Sequence, residues 1–470
     1  MKKRKDRKKY NKRWIPLMGV CICLTACGNN PESYDSYSIP EQKESTLKPI
    51  SSFYVEESYE GTEPEIQETI ETFTSRNDLC VIEKKEDYYD VTLDYENGTY
   101  AEVGAAYAET ILMAYPEYGE IMEPYLYENV KLAFPNLQGD YASVLDRLNT
   151  LKASLPEEYQ WEMESFAKVL SNGEQDFVEN GKLSYEEALL MQMIPDALRG
   201  TSCSAMSVWG EKTATGEPIT ARLLEWDLGS ENQMCNAHCV LHMKNGEKAI
   251  TSISVLGLLD ILTAINDDGV FIGILDVGSG EQYICEGKTC YTYDVRYALE
   301  NFDNAKDAGN YLIKNSTNYT WSHNLVLTDK HNSYCVENCV VEGAGKALLR
   351  DDSTKLHDNL VWDNSDSLCI VNAFAAAENQ DNLTGNEENL VRWLKYNGWI
   401  SAVDKLSVTD VKNMLTCEKV DSDIVNVHSG TVFHMVILDY ATGKIQVAFT
   451  GKDGVVDKPE FVDIGTYEIK

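Results

Sequence analysis

The chain has 470 residues, 43% hydrophobic and 10% aromatic, enough for a sizeable core in one large or two ordinary domains and too apolar for a disordered chain. Its formal charge is −35, and the first 26 residues hold nine Lys/Arg and one Asp, leaving 32 basic against 75 acidic side chains, near −43, for the remainder. A field of that sign repels nucleic acid and anionic head groups, so no nucleic-acid partner is expected.

In chain order, a basic stretch from Lys2 to Arg13 precedes an apolar run from Trp14 to Ala26, short for a spanning helix. It ends Leu24-Thr25-Ala26-Cys27-Gly28, which looks like a lipoprotein signal box, with an ordinary secretory cut near Ala26 as the alternative. The expectation is a signal peptide over 1–26, lipidation at Cys27, and an extracytoplasmic protein whose only membrane contact is that anchor. Residues 27–69 are rich in Ser, Glu, Tyr and Pro and read as an acidic flexible tether.

Residues 70–202 read as one helical unit. Gly104 to Met113 and Asp140 to Leu151 carry apolar residues at helical spacing, Pro156 can open a helix, and Ser184 with Glu187 forms a capping box. From Cys203 the texture changes to alternation. Strands are expected at Cys203 to Trp209, Ile219 to Trp226, Cys239 to Met243, Val270 to Leu275, Leu325 to Leu327 and Tyr334 to Val341, with a closing hairpin at Thr431 to Tyr440 and Lys444 to Phe449. Helices are expected at Leu256 to Ile265, Val295 to Asn301, Ala305 to Ile313 and from Ser407, with Asp410 at its capping-box position.

Thirteen cysteines in an exported chain raise the question of oxidation. Cys235/Cys239 and Cys335/Cys339 share a spacing of four. On strands neither pair can close on itself, so bridges between the pairs and buried free thiols both remain open. His238 and His242 interleave with the first pair; a zinc site is the third reading, although no second pair at finger-like spacing accompanies them.

The chemistry gathers behind Cys203. A small-residue stretch, Gly200-Thr201-Ser202, leads into it, and Arg222 follows with Glu225-Trp226. Then come Leu256-Gly257-Leu258, Ala264-Ile265-Asn266-Asp267-Asp268-Gly269, Gly273-Ile274-Leu275-Asp276, Asn324 to Glu337 with Asp329, Val371-Asn372-Ala373-Phe374 and Asn389-Leu390-Val391-Arg392. In this order the set resembles the choloylglycine hydrolase and penicillin acyltransferase-like superfamily of N-terminal-nucleophile enzymes, which includes the acid ceramidases. The resemblance covers roughly residues 100 to 455 and rests on the combination, since no single motif is strong.

The resemblance implies an α+β fold, a four-layer αββα sandwich, with 70–202 as a helical pro-segment and 203–470 as the catalytic domain. It implies acyl transfer from a small-molecule linear amide without metal or organic cofactor. Self-cleavage at Ser202–Cys203 would expose Cys203 as nucleophile and its own α-amine, reference pKa about 8, as base. Arg222 would stabilise the thiolate, Glu225 would orient the amine, Asn372 would donate to the oxyanion, and Arg392 would either pack against the site or lie on a helix surface. Asn266 could serve the site or only its turn. Two positions depart from the family pattern: Glu225 stands where it has Asp, and Asp276 where bile-salt hydrolases carry Asn. They keep open a catalytically inactive surface lipoprotein that acts in binding. An unrelated Cys/His peptidase is opposed by the lack of a Cys/His pattern.

Overall fold

The computed structural model describes residues 63–137, 139–198, 202–280, 283–315, 318–416, 427–456 and 458–466. The expected signal peptide, Cys27, most of the tether and Gly200-Thr201 lie outside these residues. Among the described residues the N-terminal part opens with β1 (Glu71–Thr74), β2 (Cys80–Lys84) and β3 (Tyr89–Asp94). Helices α1 (Tyr100–Ala114), α2 (Tyr118–Ala133), α3 (Ala142–Lys152), α4 (Glu157–Leu170), α5 (Tyr185–Met191) and one-turn α6 (Ile194–Ala197) follow. The rest runs β4 (Ser202–Val208), β5 (Ile219–Glu225), β6 (His238–Asn245), β7 (Lys248–Val255), β8 (Thr263–Asn266), β9 (Phe271–Asp276), α7 (Tyr291–Asn301) and α8 (Ala305–Lys314). It continues β10 (His323–Thr328), β11 (Ser333–Asn338), β12 (Ala347–Arg350), β13 (Ser367–Val371), α9 (Glu387–Ala402), α10 (Val408–Thr416), β14 (Val432–Asp439), β15 (Lys444–Phe449) and β16 (Val462–Thr466).

Two sheets result. One has ten strands in the order β1-β2-β3-β6-β7-β8-β9-β10-β11-β12, the other six in the order β13-β4-β5-β14-β15-β16. They face each other: Ser207 of β4 bonds Ser333 of β11, and Thr220 of β5 bonds Thr328 of β10 at 3.0 Å. On the far side of the large sheet, α7 accepts both amide hydrogens of Asn266 at its C-terminal end, and α8 lays Gly309 against Leu327 and Leu349. On the far side of the small sheet, Tyr396 of α9 bonds Ser204, and α10 shares a core with Met435 and Ile437. Helix, sheet, sheet, helix: the layers are those expected.

The helical unit expected at 70–202 needs correction. Residues 71–94 are strands, and β3 pairs in parallel with β6 over six residues, Tyr89↔Cys239 to Asp94↔Lys244, extending the large sheet. The alternation that drives this is in the sequence, since Tyr89, Val91 and Leu93 are buried while their neighbours are less so. The end of the expected tether is also docked, for Glu65 accepts a bond from the Asp463 N–H. The helix expected at Leu256 to Ile265 is a turn followed by β8. Gly257 there has φ +94°, and a Cβ on it would strike the Tyr118 hydroxyl. Both capping boxes, Ser184/Glu187 and Ser407/Asp410, are present.

Candidate active site

Side chains of β4 alternate, so Cys203, Ala205 and Ser207 face the large sheet and Ser204 and Met206 face α9. Cys203 is fully buried. Its N–H donates to Asn372 Oδ1 at 2.7 Å, and its carbonyl accepts Arg392 Nη1 at 2.9 Å. Arg222 lies on the neighbouring strand, opposite Ala205 and on the same inner face, and places Nη2 3.4 Å from the Cys203 sulfur. The guanidinium also donates to Thr263 Oγ1 and to the Ile274 carbonyl. Thr263 in turn meets His434 Nε2 at 3.3 Å. Burial pulls the Arg222 pKa down from its ordinary value while Cys203, Tyr291 and Asp276 push it up, and an arginine remains the local cation. Burial, and secondarily Arg222, holds His434 well below the usual histidine range, so it is neutral.

Glu225 sits opposite Ser202 on the outer face of the small sheet, the face that Cys203 does not share. Its carboxylate is bound by Arg392 Nη1 at 2.6 Å and by the Ser429 hydroxyl. The Cys203 nitrogen is therefore held by Asn372, with Glu225 one residue removed through Arg392. Arg392 is in the site, not on a surface: it is 4% exposed, and its Nη2 reaches Asn372 Oδ1 at 3.1 Å and Asn389 Oδ1 at 2.6 Å. Asn372 donates through Nδ2 to the Asp276 carbonyl at 2.7 Å. Asp276 thus meets Asn372 with its main-chain oxygen, and its carboxylate accepts the Tyr291 hydroxyl at 2.7 Å.

All six expected residues converge. Cys203, Arg222, Glu225, Asn372, Asp276 and Arg392 form one connected cluster at the end of the sandwich where β4 starts and β9 ends. The sequence matches no family model, and no curated protein matches it. Solved structures similar to it include a Caenorhabditis elegans ortholog of N-acylethanolamine-hydrolyzing acid amidase, at 12% identity and TM-score 0.36, covering 51% of this chain and 93% of that one. A mutant conjugated bile acid hydrolase of Clostridium perfringens gives 12% identity and TM-score 0.35, covering 56% and 92%. Penicillin V acylase of Agrobacterium tumefaciens gives 11% and 0.33, covering 56% and 86%.

Several residues of the cluster escape a reading by spacing. Asn324 Nδ2 donates to the carbonyls of both Val371 and Ala373 at 2.9 Å, clamping the chain on either side of Asn372. Asn389 brackets Asn372 itself, accepting its N–H and donating to its carbonyl, each at 3.2 Å. Glu337 fixes the loop beyond, taking Arg350 Nε at 2.7 Å, the N–H groups of Ala375 and Ala376, and Asn379 Nδ2 at 3.1 Å. Asn324 and Glu337 bound a stretch already in the resembling set, and Asn389 stands one helical turn before Arg392, but spacing gave none of them a role. Asn266 serves its turn: Oδ1 accepts the Asp268 and Val270 N–H groups.

None of the four-spaced cysteines is in a disulfide, and all four are buried. His238 and Cys239 point to opposite faces of β6, His238 to the Thr450 carbonyl and Cys239 towards the Tyr107 hydroxyl. His242 lies against Asp90 and Thr251. Cys239 thus points away from the face of β6 that His238 and His242 share, and among the described residues no group of His, Cys, Asp and Glu is arranged to hold a metal ion.

Proposed function

We propose that the chain is a cysteine N-terminal-nucleophile hydrolase or acyltransferase that cleaves linear amides through an acyl-thioester. One observation carries this reading: the Cys203 sulfur lies 3.4 Å from a buried guanidinium while its own N–H and carbonyl are gripped by Asn372 and Arg392. A guanidinium at that distance favours the thiolate and so opposes the effect of burial on the thiol. In the continuous chain the sulfur would attack the Ser202 carbonyl, the thiol proton would pass to the departing Cys203 nitrogen, and water would hydrolyse the resulting thioester. The freed α-amine would then serve as base for the same sulfur on an external amide. Asn372 would aim an amide hydrogen at the developing oxyanion, and Arg392 with Glu225 would hold the new N-terminus. No metal or organic cofactor enters these steps. An acidic exterior favours neutral or cationic small amides over anionic ones. Lipidation at Cys27 would hold the enzyme outside the cell on its membrane.

The second reading, an inactive binding lipoprotein on this scaffold, draws on the complete burial of Cys203 and on Glu225 being occupied by Arg392 and Ser429. Intact mass of the purified protein separates the two and also reports the lipid. The expected result is two fragments, the larger spanning the 268 residues from Cys203 to Lys470, and an acylated N-terminal piece. Cys203→Ala should stay one chain without amidase activity. A wild type that remains uncut and hydrolyses amides no faster than that variant leaves the binding protein standing.

A further inference from the structure

Helix α7 begins without a cap of its own. Its N-cap residue, Cys290, makes no side-chain capping bond, and the first turn is buried, so water cannot serve the orphan N–H groups. Asp196, from one-turn helix α6 of the N-terminal segment, supplies the missing acceptor. Its Oδ1 takes the Tyr291 N–H at 2.8 Å and its Oδ2 the Thr292 hydroxyl at 2.6 Å. Burial holds the Asp196 carboxyl well above the usual carboxylate range, so the cap rests on these two hydrogen bonds rather than on charge. The position is locked from behind. The Asp196 carbonyl accepts Tyr283 Oη at 2.9 Å, Trp321 Nε1 at 3.2 Å and Thr320 Oγ1 at 3.4 Å, and Arg147, stacked 3.8 Å over the Tyr283 ring, donates to the Ala197 carbonyl at 2.7 Å.

The capped residue is the one that reaches the site. Tyr291 carries its hydroxyl to the Asp276 carboxylate, the Asp276 carbonyl holds Asn372 Nδ2, and Asn372 Oδ1 holds the Cys203 nitrogen. Burial and the adjoining carboxylate push the Tyr291 phenol up, so it stays a donor. A continuous run of hydrogen bonds therefore links Asp196 to Cys203, and cleavage at Ser202–Cys203 would leave its two ends on different polypeptides.

We propose that Asp196 is a positioning residue of the active site: it caps α7 in place of Cys290 and, through Tyr291 and Asp276, sets the direction of the Asn372 amide. The N-terminal fragment is then a working part of the mature enzyme. This rests on the amidase reading. It applies to Asp276 in particular, because a carboxylate at that place needs a donor such as the Tyr291 hydroxyl.

The test uses the full-length protein and a series of N-acyl-7-amino-4-methylcoumarins from acetyl to dodecanoyl. Misdirecting Asn372 without removing it should lower kcat about tenfold with KM held within about twofold, since the lost contact acts on the transition state. Asp196→Ala and Tyr291→Phe should each show this loss. The double variant should be no slower than the slower single variant, because both substitutions break one path. Asp196→Asn keeps an oxygen for the Tyr291 N–H and should stay within about threefold of wild type. Unchanged kcat in Tyr291→Phe, or losses that multiply in the double variant, overturn the inference even where Asp196→Ala fails to fold. A wild type that hydrolyses none of the probes and stays one chain overturns the amidase reading, and this inference with it.

Discussion

Arg222 can lie between two packed sheets because residue 273 has no side chain. A Cβ there would meet the Arg222 Cδ and Nε and, at 3.1 Å, a Val326 methyl, and Arg222 cannot yield without leaving Thr263 and the Ile274 carbonyl. Gly273→Ala should therefore cost about 1–3 kcal/mol in urea unfolding and slow alkylation of the Cys203 thiol by iodoacetamide at neutral pH; equal alkylation in both proteins would detach Arg222 from the sulfur. A second residue tests pH. Asp260 is buried, and that burial, only partly offset by Thr292 and Arg296, raises its pKa from 3.8 to about 7. Because the folded state binds the proton more tightly, this group's contribution is complete below the unfolded value and lost as pH rises through about 7. Asp260→Asn should match wild type near pH 4 in thermal unfolding and exceed it at pH 8. The residues legible in the sequence were Cys203 and those in the ordered motifs behind it, including Glu225 and Asp276, which reach it through Arg392 and Asn372. His434 and Tyr291 were not, since their relevance comes from which face of one element lies over which face of another.

Strands and helices position the cluster by bracketing one short segment. β13 ends at Val371, and the loop from Asn372 to Asn379 is held by Asn324 on β10 and Glu337 on β11. Glu337→Gln keeps the shape but turns amide hydrogens towards groups that are themselves donors and leaves Arg350 without its charge partner. Breaking a buried pair in this way should cost about 3–5 kcal/mol, read by urea unfolding, with faster hydrogen exchange over 373–379; an unchanged exchange rate there would show that the loop holds itself. At this scale the sequence was a fair guide wherever alternation or a cap was strong, as in β4, β5, the closing hairpin and both capping boxes. It misled at 256–265, where apolar residues at helical spacing are pinned into a turn by contacts from remote helices: Gln192 bonds the Gly257 carbonyl and the Leu259 N–H, and Tyr118 the Leu256 carbonyl.

For the molecule as a whole, the segment before Cys203 is no detachable prefix. It gives three strands to the large sheet, and its Glu162 closes on Arg296 at 2.6 Å, both buried, with the guanidinium 4.6 Å over the Tyr159 ring. The layered architecture was readable from the order of strands and helices together with the family resemblance; the sharing of one sheet across the expected cut was not, because a parallel partner can lie at any distance along the chain. If cleavage occurs, both fragments should co-elute in gel filtration without denaturant and separate in 6 M urea, a condition of roughly the strength needed to unfold such a core. Separation in plain buffer would mean that β3 and β6 part once the chain is cut.

That shared ladder sets how the protein recovers from damage. In the continuous chain β3 is tethered to β6, so reunion after unfolding is a unimolecular search whose rate ignores dilution. Once the tether is gone the same six residue pairs must be found by collision, and the local concentration that the chain supplied is lost. A cleaved population would then regain its fold only where both pieces stay crowded, and each unfolding event in dilute surroundings would be final.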